Sequence, residues 1–492
     1  MKTNFDFLLK EPQFEPFAEA AISAERVLHI SPALCATACR TALEFAVKWL
    51  YSIDSSLTKP YADKLVTLIS TEDFQDLIPS GMAAKINYLR KIGNNATHNP
   101  KSVNKDQAVL ALENLHSFLD FLACCYADSY AETSFDKGII NKVVEPAEVP
   151  LAQPEVEEVD FQTLLDENFP KRPGMTAKRL ERLKRGYEVK PMDMTEAQTR
   201  KAYIDVMLQD AGWERGVNWY DEYPVDNMPN KSGYGAADYV LFADDGMPLA
   251  VIEAKRTSVN VEKGRQQAVL YANFLEQKFG KRPIIFLTNG YETRLWDDRH
   301  YPERLVSGFY SKRDLEQYFG ILKDRKGLKG VQINDAISGR YYQKEAIQAV
   351  CDAIGERNRR KALLVMATGS GKTRTVISLA DVLIRHGWVK NLLFLADRNA
   401  LVTQAKRAFH NELPNLSLCD LTNSKEDANA RAVFSTYQTM MNAIDATKNK
   451  EGKKLFTPGH FDLIIVDESH RSIFKKYRAI FEYFDAILVG LT

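Results

Sequence analysis

Hydrophobic positions in the first 140 residues recur with the spacing of an α-helix. Amphipathic runs of this kind predict helices at residues 18–27, 32–51, 59–69, 83–92 and 105–126. Gly93 follows the fourth run, at a position where glycine often ends a helix. We therefore expect a helical domain over residues 1–140, with one of its helices ending at Gly93.

The pattern changes after residue 195, where short apolar runs alternate with helical ones. Two of the short runs, at 235–242 and 248–255, flank an Asp245-Gly246 turn signal and predict a β-hairpin. A strand at 362–365 leads into a helix at 375–383. Strands that alternate with helices are typical of α/β folds.

Composition marks the boundaries between these regions. An acidic, proline-rich stretch at 141–160 has the composition of an exposed tether, and basic residues crowd glycines near residue 325. The predicted fold class is a multidomain α/β protein with a helical N-terminal domain. Its predicted parts are a helical domain (1–140), a linker (141–160), an α/β domain (161–325) and a parallel-sheet lobe (326–492).

Residues 366–373 read Met-Ala-Thr-Gly-Ser-Gly-Lys-Thr and connect the predicted strand at 362–365 to the helix after it. A strand that turns through glycines into a helix directs several backbone N–H groups into one concavity, where a triphosphate fits. Met366 stands where the pattern usually has its first glycine. Lys372 can reach the β- and γ-phosphates of ATP, and the Thr373 hydroxyl can hold Mg²⁺. The predicted ATP-binding residues here are Thr368, Gly369, Ser370, Gly371, Lys372 and Thr373.

A second part of this nucleotide site is predicted at the end of the buried strand 462–466. Asp467 would hold Mg²⁺, largely through water, and Glu468 would position the water that attacks the γ-phosphate. His470 would couple the nucleotide site to the rest of the protein. An acidic pair after a strand is often only the start of a loop, but its order and distance from Lys372 favour a site.

The predicted hairpin at 235–255 carries a different group of charges. Glu253 and Lys255 are two apart on one strand, so they share a face, and pairing across the hairpin brings Asp238 near them. Hard cations prefer carboxylate oxygens, so this face predicts a Mg²⁺ site at Asp238 and Glu253. Lys255 would orient water or stabilise a charged transition state. The alternative is an exposed hairpin whose charges are only solvated.

Three further residues extend this group. Gln267 and Tyr271 are four apart on one predicted helix face, and Glu196 lies on a helical stretch before the hairpin. The order Glu196, Asp238, Glu253-x-Lys255, Gln267-x-x-x-Tyr271 resembles the PD-(D/E)xK nuclease core, with Ala237 in place of the family's proline. The resemblance implies that all six residues are catalytic.

The nucleotide motifs resemble motifs I and II of superfamily 2 helicases and translocases. Gln343 resembles the adenine reader of that superfamily, and 394–398 and 434–438 resemble motifs that contact a DNA strand. Residues 490–492 resemble the first half of motif III. We therefore expect only the first of two RecA-like lobes here, and expect this piece alone to hydrolyse ATP poorly.

A nuclease followed by a translocase resembles the motor subunit of type I restriction endonucleases. That resemblance implies ATP and Mg²⁺ as cofactors. It also implies double-stranded DNA, a methyltransferase subunit and a DNA-specificity subunit as partners. A DNA-repair helicase–nuclease more often carries its nuclease after the motor. A scaffold with decayed sites would not keep Lys372, Asp467 and Glu253.

The helical N-terminal domain resembles the HEPN-like domain often found at the start of such restriction subunits. Some HEPN-like domains are ribonucleases that use an arginine and a histidine, and Arg90 and His98 offer such a pair at a longer spacing. A docking or scaffold module is the other interpretation, and the one we favour.

Composition excludes several classes of protein. The 492 residues contain 65 Lys+Arg and 65 Asp+Glu, so net charge gives no nucleic-acid signal, although the basic stretch 171–185 offers a local one. The alternative interpretation of this basic stretch is a solvated helix face.

The six cysteines form no paired CxxC pattern, which argues against a zinc site. Without a signal-peptide pattern or a run of 18 apolar residues, we expect a cytoplasmic protein with no membrane partner.

Overall fold

The computed structural model describes residues 2–60, 63–98, 103–140, 165, 171–184, 186–189, 195–226, 233–257, 259–423, 428–445, 454–469 and 477–492. The chain forms two compact units, Met1–Val206 and Met207–Thr492. The predicted linker, 141–160, lies outside the described residues. The predicted fold class, a multidomain α/β protein with a helical N-terminal domain and a parallel-sheet lobe, is confirmed.

Helices make up the regular structure described in the first unit. They are α1 Glu15–Arg26, α2 Pro32–Ile53, α3 Leu65–Ile69, α4 Glu72–Leu77, α5 Met82–His98, α6 Lys105–Tyr126, α7 Lys137–Ile140, α8 Pro173–Leu183 and α9 Glu196–Thr199. Short 3₁₀ turns lie at Asp6–Lys10, Pro12–Phe14 and Val27–His29. A π-helical turn, Arg200–Ile204, follows α9 and leads into α10, Asp205–Asp210, which ends beyond the unit's boundary.

The longest helices of this unit begin at side-chain caps and bury their apolar faces together. Asn104 and Gln107 form a reciprocal capping box at the start of α6. Trp49 of α2 packs edge-on against Phe14 and Tyr126, with ring centroids 5.4 and 5.6 Å away. In the described part of the chain, α6 alone is long and apolar enough to cross a membrane, and most of it is buried in this unit.

The predicted end of a helix at Gly93 is wrong, because α5 continues to His98. A β-carbon at Gly93 would lie 2.4 Å from the Arg40 β-carbon of α2. Glycine is therefore required here for close packing of two helices, which a periodicity argument cannot distinguish from a stop signal. Arg90 lies in α5, but the His98 side chain is outside the described residues, so the ribonuclease interpretation stays untested.

The first unit extends further along the chain than the predicted helical domain. Helix α8 belongs to it, since Arg179 donates to the buried Asp54 carboxylate at 2.9 Å and the Arg172 amide donates to the Ile53 carbonyl at 3.0 Å. Lys178 pairs with Asp128 at 2.8 Å. The predicted segment 161–325 is therefore divided, because the first unit extends to Val206, and part of the basic stretch 171–185 makes contacts inside that unit.

The second unit begins with a mixed sheet of six described strands. They are β1 Trp219–Asp226, β2 Tyr234–Phe242, β3 Pro248–Ala254, β4 Ile284–Thr288, β5 Thr293–Trp296 and β6 Arg304–Val306. They lie side by side in chain order. All neighbours are antiparallel except β3 and β4, which are joined by a crossover through the 3₁₀ turn Val261–Gly264 and α11, Arg265–Phe279.

A parallel sheet follows, with the described strand order β7-β12-β11-β8-β10-β9. Its strands are β7 Lys361–Leu364, β8 Leu392–Ala396, β9 Leu418–Asp420, β10 Ala432–Thr436, β11 Leu463–Val466 and β12 Ile487–Leu491. The helices around the two sheets are α12 Lys312–Asp324, α13 Tyr341–Gly355, α14 Lys372–Arg385, α15 Asn399–Glu412, α16 Tyr437–Asp445 and α17 Arg478–Tyr483. Strands β8, β10 and β11 are buried throughout, because helices cover both faces.

Two candidate active sites

The predicted hairpin exists, and it places Asp238 and Glu253 on one face of the mixed sheet. The antiparallel register of β2 and β3 pairs Tyr239 with Ile252, so Asp238 comes opposite Glu253 at the end of the pair. The Asp238 Oδ2 atom accepts a hydrogen bond from the Ala254 amide at 2.7 Å. This bond fixes the carboxylate beside the end of β3.

Glu253 and Lys255 form a tight ion pair at the same place. The Lys255 Nζ atom lies 2.5 Å from Glu253 Oε1, and the Glu253 side chain is only 1% exposed. The Lys255 amide donates to the Thr288 carbonyl of β4 at 2.8 Å, which holds the lysine in line with the sheet beyond the end of β3. The turn of the hairpin is exposed, but Glu253 and Lys255 are paired at the end of a buried strand and are not simply solvated.

The helix of the crossover brings Gln267 and Tyr271 to this group. The Gln267 Nε2 atom donates to the Tyr271 hydroxyl at 2.5 Å, and Tyr271 is buried against the sheet. Burial raises the pKa of Tyr271, and the charges of Glu253 and Asp238 raise it further. Tyr271 thus lies within electrostatic reach of Glu253, Asp238 and Lys255, and Gln267 is joined to the group through Tyr271.

Gly264 also lies against this group, and no sequence pattern pointed to it. A β-carbon at Gly264 would lie 2.6 Å from Glu253 Cγ and 3.3 Å from Lys255 Cε. The backbone just before α11 therefore covers the ion pair closely. In the sequence, a glycine next to a predicted helix start looks like an ordinary turn residue. Its contact with Glu253 and Lys255 becomes visible only when the crossover between β3 and β4 is known.

Glu196 belongs to the other compact unit. It is the first residue of α9, which is capped by a reciprocal pair of hydrogen bonds between Thr195 and Gln198. Its assignment to the nuclease site stays a prediction.

The two carboxylates at the hairpin suit Mg²⁺ better than a metal that needs three or more protein ligands. In the described part of the chain, no group of three or more His, Cys, Asp or Glu side chains could hold a metal ion. Asp238 and Glu253 offer two carboxylates on one face. Mg²⁺ characteristically binds one or two carboxylates and completes its coordination with water and phosphate oxygens.

The phosphate-binding loop has the predicted strand–loop–helix form. Gly369 and Gly371 have φ of +78° and +91°, in the left-handed region that favours glycine, and α14 begins at Lys372. Thr373 is the second residue of that helix and is half-buried. The loop therefore ends at a helix N-terminus, as the anion-binding prediction requires.

Gln343 lies against this loop rather than apart from it. Its Nε2 atom donates to the Ser370 carbonyl at 3.0 Å, and a β-carbon at Gly371 would lie 2.5 Å from that nitrogen. The Tyr342 hydroxyl donates to the same carbonyl at 3.0 Å, a contact not predicted from the sequence. Gln343 thus contacts the phosphate-binding loop directly, and its role in reading adenine stays a prediction.

The acidic pair at the end of β11 lies near Lys372. Burial raises the pKa of Asp467, as does the neighbouring Glu468 charge, whereas Lys372 lowers it. Glu468 has φ of +52°, which is uncommon for a residue other than glycine, and its amide donates to Asp467 Oδ1 at 3.1 Å. His470 lies outside the described residues.

The last described strand contacts Ser469, the residue that follows the acidic pair. The Ser469 amide donates to the Leu491 carbonyl at 2.6 Å, and a β-carbon at Gly490 would lie 2.6 Å from the Ser469 hydroxyl oxygen. Met366, just before the phosphate-binding loop, donates its amide to the Thr492 carbonyl at 3.0 Å. Residues 490–492 therefore connect the residue before the phosphate-binding loop with the residue after the acidic pair.

Comparisons with known proteins divide the chain in a similar way. A model of the N terminus of type I restriction enzyme R proteins matches residues 193–304. A model of the type III restriction enzyme res subunit matches residues 336–492, and a domain of unknown function, DUF4145, matches residues 23–138.

Curated relatives point to the same group of proteins. The endonuclease subunit of the type I restriction enzyme EcoAI from Escherichia coli is 30% identical over 62% of this chain and 40% of its own length. The EcoKI endonuclease subunit from E. coli K12 is 26% identical over 61% of this chain and 33% of its own length. The chain thus spans less than half the length of these relatives.

A solved fragment described as an HsdR subunit of a type I restriction enzyme, from Vibrio vulnificus YJ016, is also similar. It is 26% identical and covers 61% of this chain and 55% of its own, with a TM-score of 0.25.

Proposed function

We propose that this chain, which belongs to the type I restriction endonuclease subunit family, cuts double-stranded DNA at its hairpin and binds ATP for DNA translocation at its parallel-sheet lobe. The observation that carries the proposal is the convergence of Asp238, Glu253 and Lys255 around one buried carboxylate, in the same unit as Lys372 and Asp467.

At the hairpin, Asp238 and Glu253 would hold Mg²⁺ against the phosphate to be cut. The chemistry that bound Mg²⁺ supplies is polarisation of the phosphate and activation of a water molecule. Lys255 places a positive charge beside Glu253, where it stabilises negative charge that develops on the phosphate. The Gln267–Tyr271 pair supports this arrangement from α11, since Tyr271 is buried next to the carboxylates.

At the lobe, the backbone of residues 368–371 and the Lys372 ammonium would hold the phosphates of ATP. Thr373 and Asp467 would hold the Mg²⁺ that accompanies them, and Glu468 would orient the attacking water. The raised pKa of Asp467 is consistent with a buried carboxylate that a cation would stabilise in its charged form.

The family also suggests the setting in which these sites act. We propose that the chain works in the cytoplasm with a methyltransferase subunit and a DNA-specificity subunit. The specificity subunit would select the DNA, and this chain would supply movement and cleavage.

The direct test is Lys255→Ala in the full-length protein assembled with its presumed partner subunits. ATP hydrolysis and plasmid cutting are followed in parallel. We expect hydrolysis within about twofold of wild type and a loss of cutting by at least about 10²-fold, since Lys255 belongs only to the hairpin site. Lys263→Ala, an exposed lysine eight residues on, is the matched control. Normal cutting by Lys255→Ala would show that the hairpin is structural.

A further inference from the structure

The first unit contains a cavity that neither candidate active site uses. Its volume is about 560 Å³, and residues of α5, of α6, of the segment 130–135 after α6 and of the segment 186–188 after α8 line it. The two segments have no helix or strand, so irregular backbone forms two of the four walls. All of these walls belong to the first unit.

Asp120 of α6 holds the walls together. It is 5% exposed and accepts hydrogen bonds from the hydroxyls of Tyr130 and Tyr187, each at 3.1 Å, and from the Thr133 hydroxyl at 2.8 Å. One buried carboxylate therefore fixes both irregular segments at the cavity. Because the two tyrosines donate to Asp120, their oxygens keep lone pairs that can accept a hydrogen bond from a ligand.

The cavity wall carries more negative than positive charge. Its four carboxylates are those of Glu113, Asp120, Glu132 and Glu188. Among the described residues that line the cavity, Lys85 is the one lysine or arginine. Glu113 also pairs with Lys137 at 3.2 Å, but Lys137 is 61% exposed and does not line the cavity, so solvent weakens this pair. The wall therefore favours a cationic ligand.

Lys85 of α5 opposes that preference. It is 3% exposed, and its Nζ atom donates to the Ser117 hydroxyl at 3.1 Å. Burial lowers the pKa of Lys85 to about 8, although the Glu113 charge acts in the other direction. The charged form of Lys85 repels a cation in the cavity, so removal of this amine should strengthen the binding of a cation.

The carboxylates are spread along the cavity rather than gathered at one point. Glu113 and Asp120 are seven residues apart on α6, about 10 Å along the helix axis, and Glu132 and Glu188 lie on the two irregular segments. In the described part of the chain, no group of three or more such side chains could hold a metal ion. A flexible chain with several amines can reach separated carboxylates, and the Phe135 ring adds a surface that attracts ammonium groups.

We propose that this cavity binds an aliphatic polyamine. Glu113 and Glu188 accept hydrogen bonds from its ammonium groups, and the oxygens of Tyr130 and Tyr187 accept further N–H groups. The site lies in the first unit, so the proposal stands whether or not the second unit hydrolyses ATP or cuts DNA.

Calorimetric titration of the full-length protein with spermidine tests the proposal. DNA is left out, because it binds polyamines itself, and the ionic strength is held constant. We expect one spermidine to bind per chain. Glu113→Gln should weaken this binding by at least about tenfold, because it removes one charge-assisted hydrogen bond.

Lys85→Met should have the opposite effect. It removes the like charge and keeps a side chain of similar length, so spermidine should bind about threefold more tightly, or better. Glu188→Gln changes an exposed residue of the wall and should weaken binding about twofold to fivefold. Glu19→Gln, on the exposed side of α1, is the control and should bind spermidine as wild type does.

Three outcomes would overturn the proposal. They are the lack of one-to-one binding to wild type, equal affinities of Glu113→Gln and Glu19→Gln, and binding by Lys85→Met that is unchanged or weaker. A thermal melt within about 2 °C of wild type shows that a variant is folded. If Glu113→Gln fails this criterion, Lys85→Met and Glu188→Gln decide the question, because their predicted shifts have opposite signs.

Discussion

Gly264 and Gly371 lie where a β-carbon would strike a side chain of a candidate site. At Gly371 the obstacle is the Gln343 amide, and at Gly264 it is Glu253 Cγ. The sequence predicted the first, because a glycine inside a phosphate-binding loop has a known backbone role. It could not predict the second, because the constraint comes from a strand that lies ten residues upstream along the chain.

Replacing Gly264 should therefore damage the nuclease alone. In Gly264→Ala the new methyl group must displace Glu253 and Lys255, and a displacement of about 1 Å at a catalytic group costs about 10²-fold in rate. We expect plasmid cutting to fall by that factor, with ATP hydrolysis unchanged. Gly320→Ala in α12, where nothing lies within 4 Å of the added carbon, is the control and should cut normally. Equal cutting by Gly264→Ala and Gly320→Ala would show that Gly264 is not needed for the geometry of the proposed nuclease site.

His460 makes the stability of the second unit depend on pH. Burial lowers the pKa of His460 from 6.5 to about 3, and Arg313 adds to that effect. Because the folded pKa lies below the unfolded one, the unfolded chain binds a proton first as pH falls, and stability is lost from pH 6.5 downward. The loss between pH 7.5 and 5 should be about 2 kcal/mol.

Thermal unfolding of wild type and His460→Phe at pH 7.5 and 5 measures this effect. The aromatic replacement keeps a ring among Phe456 and Phe461 and removes the titration. The unfolding midpoint of the second unit should fall less between the two pH values in the variant than in wild type. Parallel losses in both proteins would place the pH dependence elsewhere.

At the scale of elements, the regular patterns were predictable and the close contacts between elements were not. Helix α6 matches its predicted bounds, and the hairpin and the phosphate-binding loop lie where their motifs placed them. The predicted helix at 59–69 is reduced in the described residues to α3, Leu65–Ile69. The strands β1, β5 and β6 were missed, because each is short or only partly buried and carries a weak apolar pattern.

The hydrogen bond between Gln343 of α13 and the phosphate-binding loop is a contact that no sequence pattern predicts. Gln343→Ala would remove the hydrogen bond to Ser370 and the side-chain acceptor for the Arg340 amide. A lost hydrogen bond of this kind costs about 1 kcal/mol, so ATP affinity should fall about fivefold. Titration with a fluorescent ATP analogue measures it, and Glu345→Ala on the exposed side of the same helix is the control. Unchanged ATP affinity in Gln343→Ala would mean that the hydrogen bond to Ser370 does not contribute to ATP binding.

At the scale of the molecule, the second unit holds its two sheets together through buried polar groups. Asp485, just before β12, accepts from Arg304 of β6 at 2.7 Å and from Arg360 at 2.6 Å, and the Tyr310 hydroxyl also donates to it. Nearby, Gln317 of α12 donates to Asp462, just before β11. The mixed sheet is therefore joined to the starts of β11 and β12, whose far ends lie at the candidate nucleotide site.

Asp485→Ala should loosen that junction. Although burial opposes its charge, Arg360 and Arg304 hold the pKa of Asp485 below its ordinary value, so it is ionised at neutral pH. Removing it takes the carboxylate partner from the mostly buried Arg304 guanidinium, and breaking a buried pair costs about 3–5 kcal/mol, whereas the Arg360 side chain is 40% exposed and adds little. The unfolding midpoint of the second unit should fall by several degrees. Asp244→Ala, which removes an exposed ion pair with Lys312, should change stability by less than about 1 kcal/mol. Similar midpoints for both variants would show that the junction contributes little.

The central claim is that one chain carries a motor site and a separate nuclease site. The measurement that tests it most directly compares Lys372→Ala with Lys255→Ala in the assembled full-length protein, for both ATP hydrolysis and plasmid cutting. We predict that Lys372→Ala stops both activities and that Lys255→Ala stops only cutting. ATP-dependent cutting that persists in Lys372→Ala, or hydrolysis that disappears in a folded Lys255→Ala protein, would contradict the account.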